Sequence, residues 1–144
     1  MAVRMDGKAL SAKIREQIKE EAAELEKNTG VKPGLAVIIV GSDPASQIYV
    51  RNKGKACDEV GFKSEIYELP ENTTEEELLK LVHELNARDD IHGILAQSPL
   101  PKHLDEALIV NNISHEKDVD AFHPLNVGKI MIGDYSFLPC TPAG

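Results

Sequence analysis

Cysteine is scarce and scattered: Cys57 and Cys140 are the only two, far apart and without the paired spacing of a zinc site or a disulfide framework. Cys57 is expected to be a small buried hydrophobe and Cys140 a loop thiol. Excess positive charge is missing too. The formal net charge is -8, with acidic residues dispersed through helical stretches rather than gathered in a tail. That distribution excludes a nucleic-acid or anionic-membrane footprint. No long apolar run occurs; the longest, Leu35 to Val40, falls far short of the roughly 20 residues needed to span a bilayer. The amino terminus has no apolar signal core. The five histidines, His83, His92, His103, His115 and His123, do not fall at metal-ligand spacing, so no metal is expected. These absences lead to the expectation of a cytoplasmic protein with neither nucleic acid nor membrane as partner.

What is present suits one folded domain. A chain of 144 residues, 42% hydrophobic and 28% charged, has an ordinary globular composition. At that size it can bury about 70% of its unfolded surface. From Gly7 to Lys27, Leu10, Ile14, Ile18, Ala22 and Leu25 recur every three or four residues, one stripe of an amphipathic helix that Asn28-Thr29-Gly30 ends. The run Gly34 to Gly41 is short, β-rich and apolar throughout, as in a strand covered on both faces. Asp43 before Pro44 is a helix start, and the helix runs to about Gly61. Phe62 to Leu69 alternates like a strand, and Thr73 with Glu76, or Thr74 with Glu77, makes a capping box for a third helix. His92 to Gln97 predicts another buried strand, broken at Ser98-Pro99-Leu100-Pro101. A short helix from about Leu104 to Asn111 and another near Leu125 to Met131 complete the chain.

Alternating strands and helices imply an α/β fold of three layers, α/β/α, around a small, mainly parallel sheet. Ligands in such sheets bind beyond the carboxyl ends of the strands. Ser46 to Lys53 and Gln97 to Pro101 are therefore the segments to weigh for chemistry. Ser46, Tyr49 and Lys53 are spaced three and four apart on the helix after the first strand, so a hydroxyl, a phenol and an amine share one face. A lysine near the positive end of the helix dipole, and partly buried, would favour its neutral amine and suit proton transfer. By spacing alone the same residues fit a half-buried packing tyrosine and a solvated surface lysine.

Four ordered segments carry a family resemblance. Gly41-Ser-Asp-Pro-Ala-Ser-Gln-Ile-Tyr-Val-Arg-Asn-Lys53 and His92-Gly-Ile-Leu-Ala-Gln-Ser-Pro-Leu-Pro101 resemble the two signatures of the bifunctional methylenetetrahydrofolate dehydrogenase/methenyltetrahydrofolate cyclohydrolase family. Lys117 to Gly128 and Pro139 to Gly144 resemble its next two landmarks, in order and at its spacing. The match covers essentially the whole chain. It implies oxidation of 5,10-methylenetetrahydrofolate to the methenyl form with NADP, then hydrolysis to 10-formyltetrahydrofolate. Lys53 would be the catalytic lysine, Tyr49 would stack on the folate and Gln97 would hydrogen-bond Lys53. Asp120 would pair with the pterin, and Ser46 and Pro99 would contribute to the folate pocket. Ser46 is the weaker candidate, either supporting the lysine or satisfying helix amides near the cap.

Two positions depart from the family pattern: Ser98 where a larger apolar residue is usual, and Ala121 where glycine is usual. Ser98 is expected to alter the apolar wall of the pocket, and Asp118 is read as a loop carboxylate capping backbone amides. No G-x-G-x-x-G turn occurs. The resemblance therefore divides the chain into a folate-binding catalytic domain over residues 1–138 and, at 139–144, the start of a connection to an NAD(P)-binding Rossmann domain outside these residues. The expectation is a fragment that does not reduce NADP and hydrolyses the methenyl substrate weakly, from a full-length protein that is a homodimer. Two other readings are a different two-domain dehydrogenase and a non-catalytic folate-binding or interaction module.

Overall fold

The apolar run after Pro33 forms β1 (Gly34–Val40), the central strand of a three-stranded, all-parallel sheet in the computed structural model, which describes residues 6–143. β2 (Lys63–Leu69) pairs along one edge, from Gly34 opposite Lys63 to Val40 opposite Leu69. β3 (Gly93–Ala96) pairs along the other, from Leu35 opposite Gly93 to Ile38 opposite Ala96. Parallel strands need crossovers. α2 (Pro44–Val60) follows β1, and α3 (Glu75–Asn86) follows β2.

The two faces of β1 explain its unbroken apolar sequence. Ala36, Ile38 and Val40 pack on Leu78, Val82 and Leu85 of α3 and on Ile109 of α4 (Glu106–Asn112), whereas Val37 and Ile39 pack on Val50 of α2. Ala36 to Val40 are thus buried on both faces of the strand, so a polar side chain at any of these five positions would be buried without a partner. This is the three-layer arrangement expected from the sequence.

α1 (Gly7–Thr29) packs against α2, with Arg15 Nη1 donating to Glu59 Oε2 at 2.6 Å. Its apolar stripe is only lightly used: Leu10, Ile14 and Leu25 are exposed and Ala22 alone is buried among the described residues. The helix runs two residues beyond Lys27, to Thr29, and stops where Gly30 takes a left-handed conformation at φ 73°. Of the two possible capping boxes the fold uses the second, Thr74 with Glu77, while Thr73 is buried and donates its hydroxyl to Pro70 O at 2.7 Å. α4 begins at Glu106, two residues after the expected Leu104, because Asp105 accepts the Leu108 amide at 3.1 Å as its cap. α5 (Pro124–Ile132) is capped by His123, whose Nδ1 accepts the Leu125 amide at 3.1 Å. A further turn, α6 (Cys140–Ala143), was not foreseen in the tail. Among the described residues no helix is long and apolar enough to cross a membrane.

The edge strand β2 is held by charge. Arg88 donates to both oxygens of Glu65 at 2.7 Å and to Asp90 at 2.8 and 2.9 Å, and Lys63 bridges the same two carboxylates. The guanidinium of Arg88, and then Lys63, hold the carboxyls of Glu65 and Asp90 well below the usual carboxylate range. Depressed folded values mean the stabilisation is complete above the unfolded values near pH 4 and is lost as pH falls below them. Arg88→Met is therefore expected to lower the urea midpoint at pH 7, with the gap to the parent narrowing as pH drops below about 4. Urea melts at pH 7 and pH 3 check it, and a gap that widened in acid would contradict the assignment.

Because the sheet is parallel, the carboxyl ends of β1 and β3 lie on one edge. That edge carries the start of α2 and the loop beginning at Gln97, whose backbone amide donates to Ile38 O at 2.8 Å.

Candidate active site

Asp43 begins the site by fixing where α2 starts. Its side chain accepts the Ser46 amide at 2.8 Å, Pro44 occupies the first helical position, and hydrogen bonds from Ser46 hold the Asp43 carboxyl below its ordinary value. Ser46 is buried at this cap and its partner is Asp43. Tyr49, one turn on, is 63% exposed, with its ring in solvent rather than in the core. Lys53 is half-buried in the third turn of α2. That position lies beyond the first turn, over which a helix dipole acts, so the dipole influence expected from the sequence does not reach it.

Lys53 meets its partner across 44 residues of sequence. Its Nζ donates to Gln97 Oε1 at 3.0 Å, and Gln97 Nε2 donates to Ser98 O at 2.8 Å. The lysine nitrogen donates through an N–H in this contact, so the amide oxygen of Gln97 is the atom that faces it. With its backbone amide on β1 and its Nε2 on the next carbonyl, Gln97 is held at both ends. The Ser98-Pro99 peptide is cis, Pro99 is exposed, and the Ser98 hydroxyl donates to Glu106 on α4. Ser98 thus turns toward α4 while still lining a small cavity with Ala96, Asp118, Asp120 and Phe122.

Asp120 is half-buried in that cavity, and burial pushes its carboxyl above the ordinary value. Lys53 opposes the shift by attraction, and Asp118 adds to it by repulsion. A raised folded value destabilises the fold once the group ionises, so Asp120→Asn is expected to raise the melting midpoint at pH 7. Thermal melts at pH 7 would show it, and a lowered midpoint would refute it.

Asp118, as expected, caps backbone: its buried carboxylate accepts from the His123 amide at 2.8 Å. Ala121 sits at φ 56°, in the left-handed region. A side chain there costs about 1 to 2 kcal/mol and glycine almost nothing, which is the physical reason glycine suits this position. Phe122, which lines the same cavity, was missed in the sequence; an aromatic two residues after the candidate carboxylate Asp120 was the available signal. Three histidines have structural partners: His92 Nδ1 accepts the Gly34 amide at 3.0 Å, His103 pairs with Thr73 O at 2.9 Å, and His123 caps α5. Cys57 is buried, as read; Cys140 is exposed but stands at the start of α6 rather than in a loop.

A dinucleotide does not fit these residues. The turn after β1 carries Gly41 alone, the Glu71 carboxylate occupies the space beside it, and Asp43 already takes the Ser46 amide of α2.

Residues 5–120 match the model of the tetrahydrofolate dehydrogenase/cyclohydrolase catalytic domain. The chain belongs to that family. A bifunctional FolD protein of Acetivibrio thermocellus is 59% identical over 140 residues, covering 97% of this chain and 49% of the relative. In structure, the FolD methylenetetrahydrofolate dehydrogenase/cyclohydrolase of Campylobacter jejuni superposes with a TM-score of 0.92 at 55% identity, covering 96% of this chain and 49% of that one. The Trypanosoma brucei FolD, solved with NADP and an inhibitor, gives a TM-score of 0.94 at 41% identity, covering 99% and 49%. The chain spans about half the length of the curated relatives it matches. In this family member the sheet edge therefore brings Lys53 and Gln97 into direct contact and couples Asp120 to Lys53 by charge, with Tyr49 one turn from the lysine.

Proposed function

We infer that this chain is the folate-binding, lysine-bearing half of a methylenetetrahydrofolate dehydrogenase/methenyltetrahydrofolate cyclohydrolase. The observation that carries the reading is the 3.0 Å bond from Lys53 Nζ to Gln97 Oε1, which joins two distant signature segments into one proton-handling pair. The substrate is a tetrahydrofolate derivative bridged at its 5 and 10 positions. Tyr49 offers an exposed ring for stacking on its pterin or aryl face. Asp120 offers a carboxylate that matches two parallel donors of the pterin. Pro99, after Gln97, provides a stiff wall, and Ser46 supports the pocket through the α2 cap.

Hydrolysis of the methenyl bridge needs a water, a group that takes its proton and a fixed substrate. Lys53, held by Gln97, handles the proton beside the bridge carbon, and the stacked ring fixes the substrate. Oxidation of the methylene form passes a hydride to NADP, whose binding falls to the part of the relatives' length that this chain does not span. The full-length protein is read as a cytoplasmic homodimer acting in one-carbon metabolism.

The test is a titration of the chain with 5,10-methenyltetrahydrofolate, followed by its absorbance, together with an NADP-reduction assay on the methylene substrate. Saturable folate binding without NADP reduction is expected. Absence of any saturable folate binding would sink the reading.

A further inference from the structure

We propose that Asp118 and Asn126 form a positioning pair that holds the Asp120 carboxylate at the lysine side of the cavity. The inference deepens the folate reading of Asp120 and rests on it. Both members of the pair are polar and more than nine-tenths buried, Asp118 at 3% and Asn126 at 8% exposure. Buried polar groups on a small domain persist only when bonded, and these are bonded to each other and to the loop. Asn126 Nδ2, from the first turn of α5, donates to Asp118 Oδ2 at 2.9 Å and to His115 O at 2.8 Å. The same Asp118 oxygen accepts the His123 amide at 2.8 Å. The two side chains therefore clamp both ends of the segment 115–123, in whose middle Asp120 stands.

The clamp is itself anchored to the sheet and to α3. The Ile94 amide of β3 donates to Lys117 O at 2.7 Å. Lys117 Nζ donates to the carbonyls of Asn86 at 2.8 Å and Arg88 at 2.6 Å, closing the carboxyl end of α3. From Asp118 the chain turns through Ala121, whose amide donates to Asp118 O at 3.2 Å and whose φ is 56°. A left-handed alanine is held only where its surroundings over-determine it, and the clamp supplies that constraint. Asp120 thus has little freedom to swing from the cavity.

The charged groups facing Asp120 are Lys53 from α2 and Asp118 from its own loop, acting in opposite directions. This gives the pair two separable effects. Asp118 contributes position and a negative field, whereas Asn126 contributes position alone. A side chain that merely stapled the loop would move stability but not the ionisation of Asp120.

The experiment uses this chain with Asp118→Asn and Asn126→Ala. Carbon-13 carboxyl shifts follow Asp120 through a pH titration, 5,10-methenyltetrahydrofolate titration at pH 7 measures affinity, and urea melts check folding. Asp118→Asn is expected to lower the Asp120 midpoint, since a repelling charge is gone. Asn126→Ala is expected to weaken folate binding about tenfold, the loss that goes with one well-oriented hydrogen bond. An Asp120 midpoint unmoved in Asp118→Asn, or parental affinity in a folded Asn126→Ala, would overturn the proposal. Asp118→Asn is nearly isosteric and keeps one acceptor, so it decides the matter if Asn126→Ala does not fold. Should the parent itself bind no folate, the folate reading falls, and the carboxyl titrations alone still support or overturn the pair.

Discussion

Lys53→Met is expected to reduce methenyltetrahydrofolate hydrolysis by this chain at least about 100-fold, to the uncatalysed background, because a positioned acid or base contributes 10² to 10⁴ in rate. Methionine keeps most of the length and the apolar stem of lysine but has no proton to give or take. Lys53 is half-buried on α2 and its Nζ bonds Gln97, so the substitution leaves the helix cap and the sheet untouched. Gln97→Ala should lose less, since the amine survives and only its aim is lost. The decay of methenyl absorbance with parent, Lys53→Met and Gln97→Ala measures all three. Equal rates for parent and Lys53→Met would remove the lysine from the chemistry.

Tyr49→Ala is expected to weaken methenyltetrahydrofolate binding roughly 5- to 150-fold, corresponding to about 1 to 3 kcal/mol for a lost aromatic stack. Tyr49 is 63% exposed, so removing its ring costs the fold little, and the affinity change reads as binding. Tyr49→Phe keeps the stacking surface and should bind within a few-fold of the parent. Titration of the three proteins distinguishes stacking from a phenol hydrogen bond: if phenylalanine binds as poorly as alanine, the hydroxyl and not the ring holds the substrate.

The parts of the fold that were legible were those governed by short-range rules. Asp43-Pro44 started α2 because a cap and a proline need only their own amides, and β1 was recognisable because a strand covered on both faces has no polar positions. The stripe of α1 was read correctly as a helix, but nothing local reveals that Leu10, Ile14 and Leu25 stay exposed, since burial depends on what packs above them. The α1 and α4 boundaries moved by about two residues because single residues decide them, Gly30 through its left-handed backbone and Asp105 through its capping carboxylate. The site divided in the same way. Spacing set Tyr49 and Lys53 along one helix, yet spacing also grouped Ser46 with them, whereas the fold buries Ser46 in the cap and leaves Tyr49 in solvent.

By itself the sequence determined the order and kind of the elements through α5, the place where α2 begins and the four segments that mark the family, because each follows from neighbours within a few residues. The family resemblance already implied that Gln97 bonds Lys53, but only the tertiary structure decided that Asp120 feels both Lys53 and Asp118. It also decided that Asn126, unremarkable in its helix, closes on Asp118. Those contacts join residues brought together by parallel strand order and by a loop anchored on α3, and no local pattern encodes which distant side chains such an edge will face.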